Sequence, residues 1–513
     1  MSNASESLAL TLALLPDLTV MGGAMVLLLY AVWGPEDDRR RSRILGGALA
    51  VCGVAVAAVL YSATIALGRG VGPLATDPFR WAIDLVILTS TALTLMVMRD
   101  HAPRSRWAFG EPAVLVLLAA GGMMLLAAAR DLTLVFLGIE LMSVASYVLA
   151  GIDRRSARSA EAALKYFLLG AFSTGFLLYG IALLYGATGS TSLTLIGASL
   201  SPASGPPSTM ALAGLGLLLV GFAFKVAAVP FHLWTPDVYD GAPTPVSGYF
   251  AAAVKAGAFT ALVRFALEAV TPGLGVWREA LWWLAALTMI AGNTFAIQQR
   301  NVKRMLAYSS IAHAGFLLVA VTTQTAAGAA AVLFYLLAYA LATIGAFAVL
   351  SAVGEGEDGV MHAHRLEGLW QVRPGLAMAM AVYMLALLGF PLAGGIGFFA
   401  KWYVLQAAIQ APVAQTGLAI ILVVATVASA AFYLYVVMVM FMRPRRPEAV
   451  DPAPAGWLTR LVIGGSVITI LLFGVYPTPL VSAARASAAA SFPNSPPPSP
   501  SVDAMRAVAA PLR

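Results

Sequence analysis

The chain has 513 residues, of which 60% are hydrophobic and only 11% charged, where soluble domains run at roughly 45–50% and 25%. So few charges cannot cover the surface of a soluble fold of this length, which excludes a soluble enzyme. The net charge of +7 falls in short loops between apolar runs, where it orients a chain in a bilayer rather than binding nucleic acid.

Met1 to Pro16 hold no basic stretch, so no cleaved leader is expected and the first span should stay in the mature chain. A membrane-spanning helix needs about 20 apolar residues. Apolar runs fall near 17–33, 44–67, 81–98, 112–129, 131–150, 161–186, 211–239, 243–270, 279–298, 303–322, 326–353, 374–410, 415–442 and 458–480. The expected fold is therefore all-α and integral to the membrane, with about fourteen transmembrane helices. Basic residues collect after odd-numbered spans: Arg39, Arg40, Arg41 and Arg43, then Arg99, Arg104 and Arg106, then Arg154, Arg155 and Arg158. Arg300, Lys303 and Arg304, then Arg365 and Arg373, then Arg443, Arg445 and Arg446 continue the pattern. Short cytoplasmic loops gather Lys and Arg, so both termini are expected on the non-cytoplasmic side. The stretch from Ser487 to Pro500 is rich in Ala, Ser and Pro and is expected to be disordered.

An ionisable side chain at mid-membrane costs about 2.5–3.5 kcal/mol on insertion scales, so it persists only where something compensates it. Glu140, Lys225, Lys255 and Lys401 sit within apolar runs, and Lys165 lies near the cytoplasmic end of the sixth. A lysine that only snorkels or locks helices together is the plain alternative, strongest for Lys165, whose head group can reach the interface. Lys225, Lys255 and Glu140 are too central for that. Dehydration disfavours the charged form of any amine and a nearby carboxylate favours it, so buried amines beside an acid can exchange protons. A charged lysine cannot ligate a metal cation, which favours proton relay over sodium binding. His313, in YSSIAHAGF, is either a hydrogen-bonded core histidine or a relay beside Tyr308, Ser309 and Ser310. Arg264 and Glu268, four residues apart near the end of the eighth run, read as a local pair.

Two runs contain helix breakers. The seventh holds Pro230 and Pro236, and the twelfth holds Pro391, Gly394, Gly395 and Gly397. Irregular backbone at that depth is tolerated only against protein or a wet cavity. Paired interruptions point to inverted repeats around a midplane site. The offset of five spans gives the two segments opposite orientations, and a lysine lies near each break, Lys225 and Lys401.

FKVAAVPFHLWTPDVYDGAPTPVSGYFAAAVKAG (224–257), RNVKRMLAYSSIAHAGF (300–316) and LKYFLLGAFSTGFLLYGIALLYGATG (164–189) resemble the antiporter-like proton-translocating subunits of respiratory complex I. The resemblance covers roughly 110–445. It implies inverted five-helix bundles, 109–272 and 273–445, each with one discontinuous helix. Residues 1–108 would then be three preceding helices, and 446–513 a last helix with a disordered tail. It also implies that Glu140 pairs with Lys225, that Lys255 is the central lysine, that Lys401 lies toward the exit, and that Lys165 and His313 are polar residues of the same axis. Protons would pass from Lys225 to Lys255 and, through waters and groups such as His313, to Lys401.

The chain has no dinucleotide-binding glycine motif, no haem ligation, and one cysteine, Cys52, which cannot hold a metal or cluster alone. No cofactor or metal is expected on it. NADH, FMN, iron–sulfur clusters and quinone are expected in partner subunits of an NADH-quinone oxidoreductase, beside a neighbouring antiporter-like subunit and small membrane subunits. The expected place is the bacterial inner membrane. The alternatives are an ion-translocating subunit of a multisubunit sodium/proton antiporter and a purely structural membrane subunit.

Overall fold

The computed structural model describes residues 3–33, 37–65, 68, 70–101, 110–270, 274–354, 361–391, 395–447 and 452–497. Gly394, Arg104, Arg106 and the residues from 498 onward lie outside these. In a bilayer every backbone N–H and C=O must be satisfied within the chain, which leaves helices as the means of crossing for so apolar a sequence.

The first helices are α1 (Asn3–Val32), α2 (Asp38–Thr64), α3 (Pro78–His101), α4 (Glu111–Ala128), α5 (Leu132–Ala150) and α6 (Ala157–Thr188). A two-strand hairpin, Gly70–Val71 against Leu74–Ala75, precedes α3. Then come α7 (Leu193–Ser199), α8 (Thr209–Lys225), α9 (Trp234–Gly241) and α10 (Thr244–Tyr249), which runs through a π-helical turn at Phe250–Val254 into α11 (Lys255–Glu268). The second half holds α12 (Gly275–Ile297), α13 (Val302–Thr322), α14 (Ala326–Val353), α15 (Leu369–Val372), α16 (Pro374–Leu388), α17 (Ile396–Ile409), α18 (Thr416–Met442), α19 (Trp457–Val475) and α20 (Thr478–Ser491). Among the described residues, 12 helices are long and apolar enough to cross a membrane. The α8–α9 and α16–α17 pairs are shorter and interrupted.

Local chemistry sets the ends. Asp131 caps α5 by accepting from Thr133 N at 2.8 Å, and Asn301 caps α13 by accepting from Lys303 N at 3.0 Å. Arg130 N donates to Pro73 O at 2.9 Å, so the sharp passage from α4 to α5 is tied to the hairpin. Antiparallel neighbours pack closely where glycines face each other. A Cβ on Gly180 of α6 would stand 2.8 Å from Gly214 O of α8, so this crossing needs a bare backbone. The α10–α11 segment, α13 and α14 are enclosed along nearly their whole length and form the centre of the bundle.

Three expectations change. The first span begins well before residue 17, because Pro16 is accommodated inside α1 rather than marking its start. Pro236 does not interrupt the seventh span: it lies in the first turn of α9, where a missing N–H costs no helical bond. The interruption is Val226–Leu233, around Pro230. The stretch expected to be disordered is ordered as far as the structure describes it. Val481, Ala484 and Ala488 make a buried stripe on α20, which packs on α14 and α3. Phe492 meets Phe79 edge-on at 5.2 Å, and Ser491 Oγ accepts from Phe79 N at 3.0 Å. An Ala-rich composition that forbids a core of its own is also good helix-forming composition when a neighbour supplies the surface.

Candidate functional site: a buried line of lysines, hydroxyls and one histidine

Lys225 is the last residue of α8 and is 5% exposed. The helix stops there because the chain turns through Ala227, at φ 59°, toward Pro230. Backbone groups freed by the break find side-chain partners: Phe224 O accepts from Trp234 Nε1 at 3.1 Å and Val229 N donates to Thr288 Oγ1 at 2.9 Å. Lys225 Nζ donates to Ser143 Oγ at 2.7 Å and to Tyr147 OH at 3.3 Å, two residues one turn apart on α5. Glu140 lies a further turn along the same helix, half-buried. It forms no ion pair with Lys225 among the described residues, and acts on that amine only through its charge. Ser143 and Tyr147 stand nearer to the amine than the Glu140 carboxylate does and solvate it with their hydroxyls.

Lys255 opens α11 directly after the π-helical turn and is 3% exposed. Single π turns within α-helices recur at functional sites. Its Nζ donates to the backbone carbonyl of Ser310 and to Ser310 Oγ at 2.6 Å, with the Tyr339 ring 5.3 Å away. Ser310 Oγ lies 3.5 Å from Tyr239 OH.

On the same helix as Ser310, the Ser309 hydroxyl contacts Tyr433 OH of α18. Tyr433 OH lies 3.0 Å from His313 Nε2, and Tyr335 OH of α14 lies 2.6 Å from His313 Nδ1. A neutral imidazole donates through one nitrogen and accepts through the other, and a phenol can answer either, so both ring nitrogens are satisfied in either tautomer. Tyr308 is expected beside this histidine from the sequence. Tyr308 instead faces Phe295 of α12. Tyr335 and Tyr433, 22 and 120 residues from His313 along the chain, supply the phenols, and no local pattern could have found them.

Lys401 lies on α17, beyond the second break, and is 6% exposed. Its Nζ donates to Leu388 O at 2.8 Å, a carbonyl orphaned where α16 ends, and stands 4.6 Å over the Phe316 ring. A small cavity lined by His313, Tyr335, Tyr339, Gly397 and Lys401 joins this amine to the histidine. Among the described residues, none of Lys225, Lys255 and Lys401 makes an ion pair with a carboxylate. Their hydrogen-bond acceptors among the described residues are hydroxyl and carbonyl oxygens.

Lys165 belongs to a different environment. Its side chain is 42% exposed and pairs with Glu161 at 2.6 Å and Asp237 at 2.7 Å, while Asp237 also receives Arg304 Nη1 at 2.6 Å. The cluster ties α6 to α9 and α13. Arg264 and Glu268 are indeed bonded, at 2.8 Å, but the pair is not isolated. Arg264 also grips Asp77 with both terminal nitrogens, at 2.8 and 3.0 Å, and Arg130 Nε bonds Glu268 at 2.8 Å.

Residues 129–432 match the family described as NADH:quinone oxidoreductase/Mrp antiporter, transmembrane. The chain is 52% identical over 511 residues to the NADH-quinone oxidoreductase subunit N of Gemmatimonas aurantiaca, covering 98% of both chains. A chain of respiratory complex I from Thermus thermophilus is similar in structure, with TM-score 0.77 and 36% identity over 91% of this chain and 99% of that one. A chain of the Mrp complex from Dietzia sp. shares the fold, with TM-score 0.80 at 22% identity, covering 94% of this chain and 98% of that one.

Proposed function

The chain belongs to the NADH:quinone oxidoreductase/Mrp antiporter family, and within it to subunit N of NADH-quinone oxidoreductases, and from that membership we propose that Lys225, Lys255, His313 and Lys401, with Glu140 acting at a distance, carry protons across the membrane. The protein is a membrane subunit of a translocase. Reduction of quinone by NADH, with FMN and iron–sulfur clusters, is assigned to partner subunits, and this chain supplies the ionisable groups that respond to it.

The observation that carries the reading is that, among the described residues, the three buried lysines have no fixed counter-ion. A lysine that only braces a fold is best served by a carboxylate in contact with it. These amines are instead held by hydroxyl and carbonyl oxygens, which bind an ammonium more strongly than an amine but still accept an N–H from the neutral form. Either protonation state is then compatible with the same geometry. Ser310 couples Lys255 to α13, and the Ser309–Tyr433–His313–Tyr335 chain continues toward the cavity at Lys401. Two interrupted helices five spans apart, each beside one of these lysines, support reading 109–272 and 273–445 as inverted repeats. The Lys and Arg bias supports a location in the inner membrane with both termini on the non-cytoplasmic side.

The test uses inverted membrane vesicles with wild-type protein or Lys225→Ala, following NADH-driven quinone reduction and vesicle acidification together. Loss of acidification in an assembled complex is the expected result. Unchanged rates of both would overturn it, and sodium-dependent transport would then favour the antiporter reading.

A further inference from the structure

A second buried charge cluster lies at the opposite end of α3 from Arg99, where α4 passes into α5 and α11 reaches Glu268. It contains Asp77, Arg80 and Asp84 of the α3 end, Asp17 of α1, and the Arg264–Glu268–Arg130 chain already described. Arg80 and Asp84 are both 0% exposed, and Asp17 is 1% exposed. The charges divide into two groups. Arg264 and Arg130 are taken up by Asp77 and Glu268, two guanidinium groups against two carboxylates. Arg80 alone faces the other two. Its Nη2 bonds Asp17 Oδ2 at 2.6 Å, its Nη1 bonds Ala75 O at 2.7 Å, and its Nε stands 3.4 Å from Asp84 Oδ2, out of hydrogen-bond alignment.

Asp84 is the anomaly. Among the described residues, neither of its carboxyl oxygens has an aligned hydrogen-bond partner, and Asp17 Oδ1 has none either. The charged groups facing Asp84 are Arg80 on its own helix, Asp17 on α1 and Arg264 on α11, the last already committed to Asp77 and Glu268. A buried carboxylate with no donor is strongly disfavoured, and two carboxylates beside one guanidinium leave one negative charge uncompensated. Nature resolves this arrangement by protonating one acid of the pair.

We propose that Asp17 and Asp84 hold one proton between them across Arg80, so that this end of the bundle carries a proton-binding carboxylic acid. The bound proton follows from the local charge count alone. Its use as a release site for translocated protons rests on the reading of the lysine line given above. On the orientation expected from the loop charges, the pair lies toward the non-cytoplasmic side, where release would occur.

Infrared spectroscopy of the purified complex tests the proton directly, because a protonated carboxylic acid has a carbonyl stretch that an ionised one lacks and that shifts in heavy water. Wild-type complex is compared with Asp84→Asn and Asp17→Asn. Each single variant removes the excess acid and leaves the other paired with Arg80, so each is expected to lose one such band entirely. Lys225→Ala is expected to keep it whatever happens to pumping, which separates this proposal from the transport reading. Spectra identical to wild type in both asparagine variants would overturn it. Should those variants fail to assemble, Asp84→Glu keeps the acid in a shifted position, and a displaced band is expected. An unmoved band would overturn the proposal equally.

Discussion

Tyr433 OH lies 3.0 Å from His313 Nε2 and also meets the Ser309 hydroxyl, so one phenol on α18 joins two positions of α13 that are a helical turn apart. A hydroxyl can donate to one and accept from the other, which a phenyl ring cannot. Tyr433→Phe removes that bridge with almost no change of volume. We expect the rate of proton transport to fall about tenfold, equivalent to about 1.4 kcal/mol on the limiting barrier, with the complex intact. Tyr335→Phe leaves the Ser309–Tyr433–His313 segment in place and should cost less. Vesicle acidification measured against NADH oxidation compares the two, and equal, wild-type-like rates would take Tyr433 out of the path.

The second break makes a different prediction for Lys401. Its ammonium satisfies Leu388 O, a carbonyl left over where α16 ends at Gly389, whose φ of 75° suits glycine. Lys401→Ala leaves that carbonyl buried without a donor, a loss of about 1–3 kcal/mol in stability. Lys401→Glu can restore a donor when protonated, so it should retain more transport and more thermal stability than Lys401→Ala. A thermal unfolding series on the solubilised complex, read beside transport, checks the order. The reverse order would show that the charge at this site, and not its donor, is what matters.

Lys165 was expected on the same axis, and its surroundings argue for a clamp instead. It is half-exposed, held by Glu161 and Asp237, with Arg304 on the other oxygen of Asp237. Exposed ion pairs contribute about 0–1 kcal/mol each. Lys165→Ala should therefore leave transport within about twofold, whereas Asp237→Asn, which weakens two contacts at once, should lower thermal stability more than Lys165→Ala does. Transport abolished by Lys165→Ala in an assembled complex would return this lysine to the path.

What was legible in the sequence followed from the cost of charge in hydrocarbon. Lys225, Lys255 and Lys401 stand out because nothing around them in the chain explains them, and the spans follow from apolar length. The partners did not stand out, because Tyr147, Ser143 and Tyr433 are ordinary residues of apolar helices until the packing brings them to an amine. The buried acids at the α3 end escaped notice for another reason. Asp77, Arg80 and Asp84 sit at a span boundary, where charges are normally solvated, and only the packing of α1, α11 and α20 around them removes the water. The same packing holds α20, Thr478–Ser491, whose Ala-rich composition favours a helix but gives no sign of the surface that it packs on.

The cytoplasmic-side loops, on the expected orientation, hold a clasp that should respond to acid. Glu367 receives Arg446 Nε at 2.7 Å and Arg443 Nη1 at 3.1 Å, joining the loop after α14 to the chain leaving α18. The hydrogen bond from Arg446 holds its carboxyl below the usual glutamate range. Burial opposes this, and Arg443 adds to it. A carboxylate with a lowered value in the closed clasp favours closure wherever it is ionised. That contribution is complete above the unperturbed glutamate value of about 4.3 and is lost as the pH falls through the lower value of the closed state. Hydrogen exchange of the backbone around Gly368, whose N–H reaches Val439 O, should be flat from neutral pH down to about 4.3, once the intrinsic pH dependence of exchange is removed, and should quicken below it. Glu367→Gln removes the titrating group and should exchange faster at neutral pH with no further acid step. An acid step retained in that variant would assign the response to another group in the clasp.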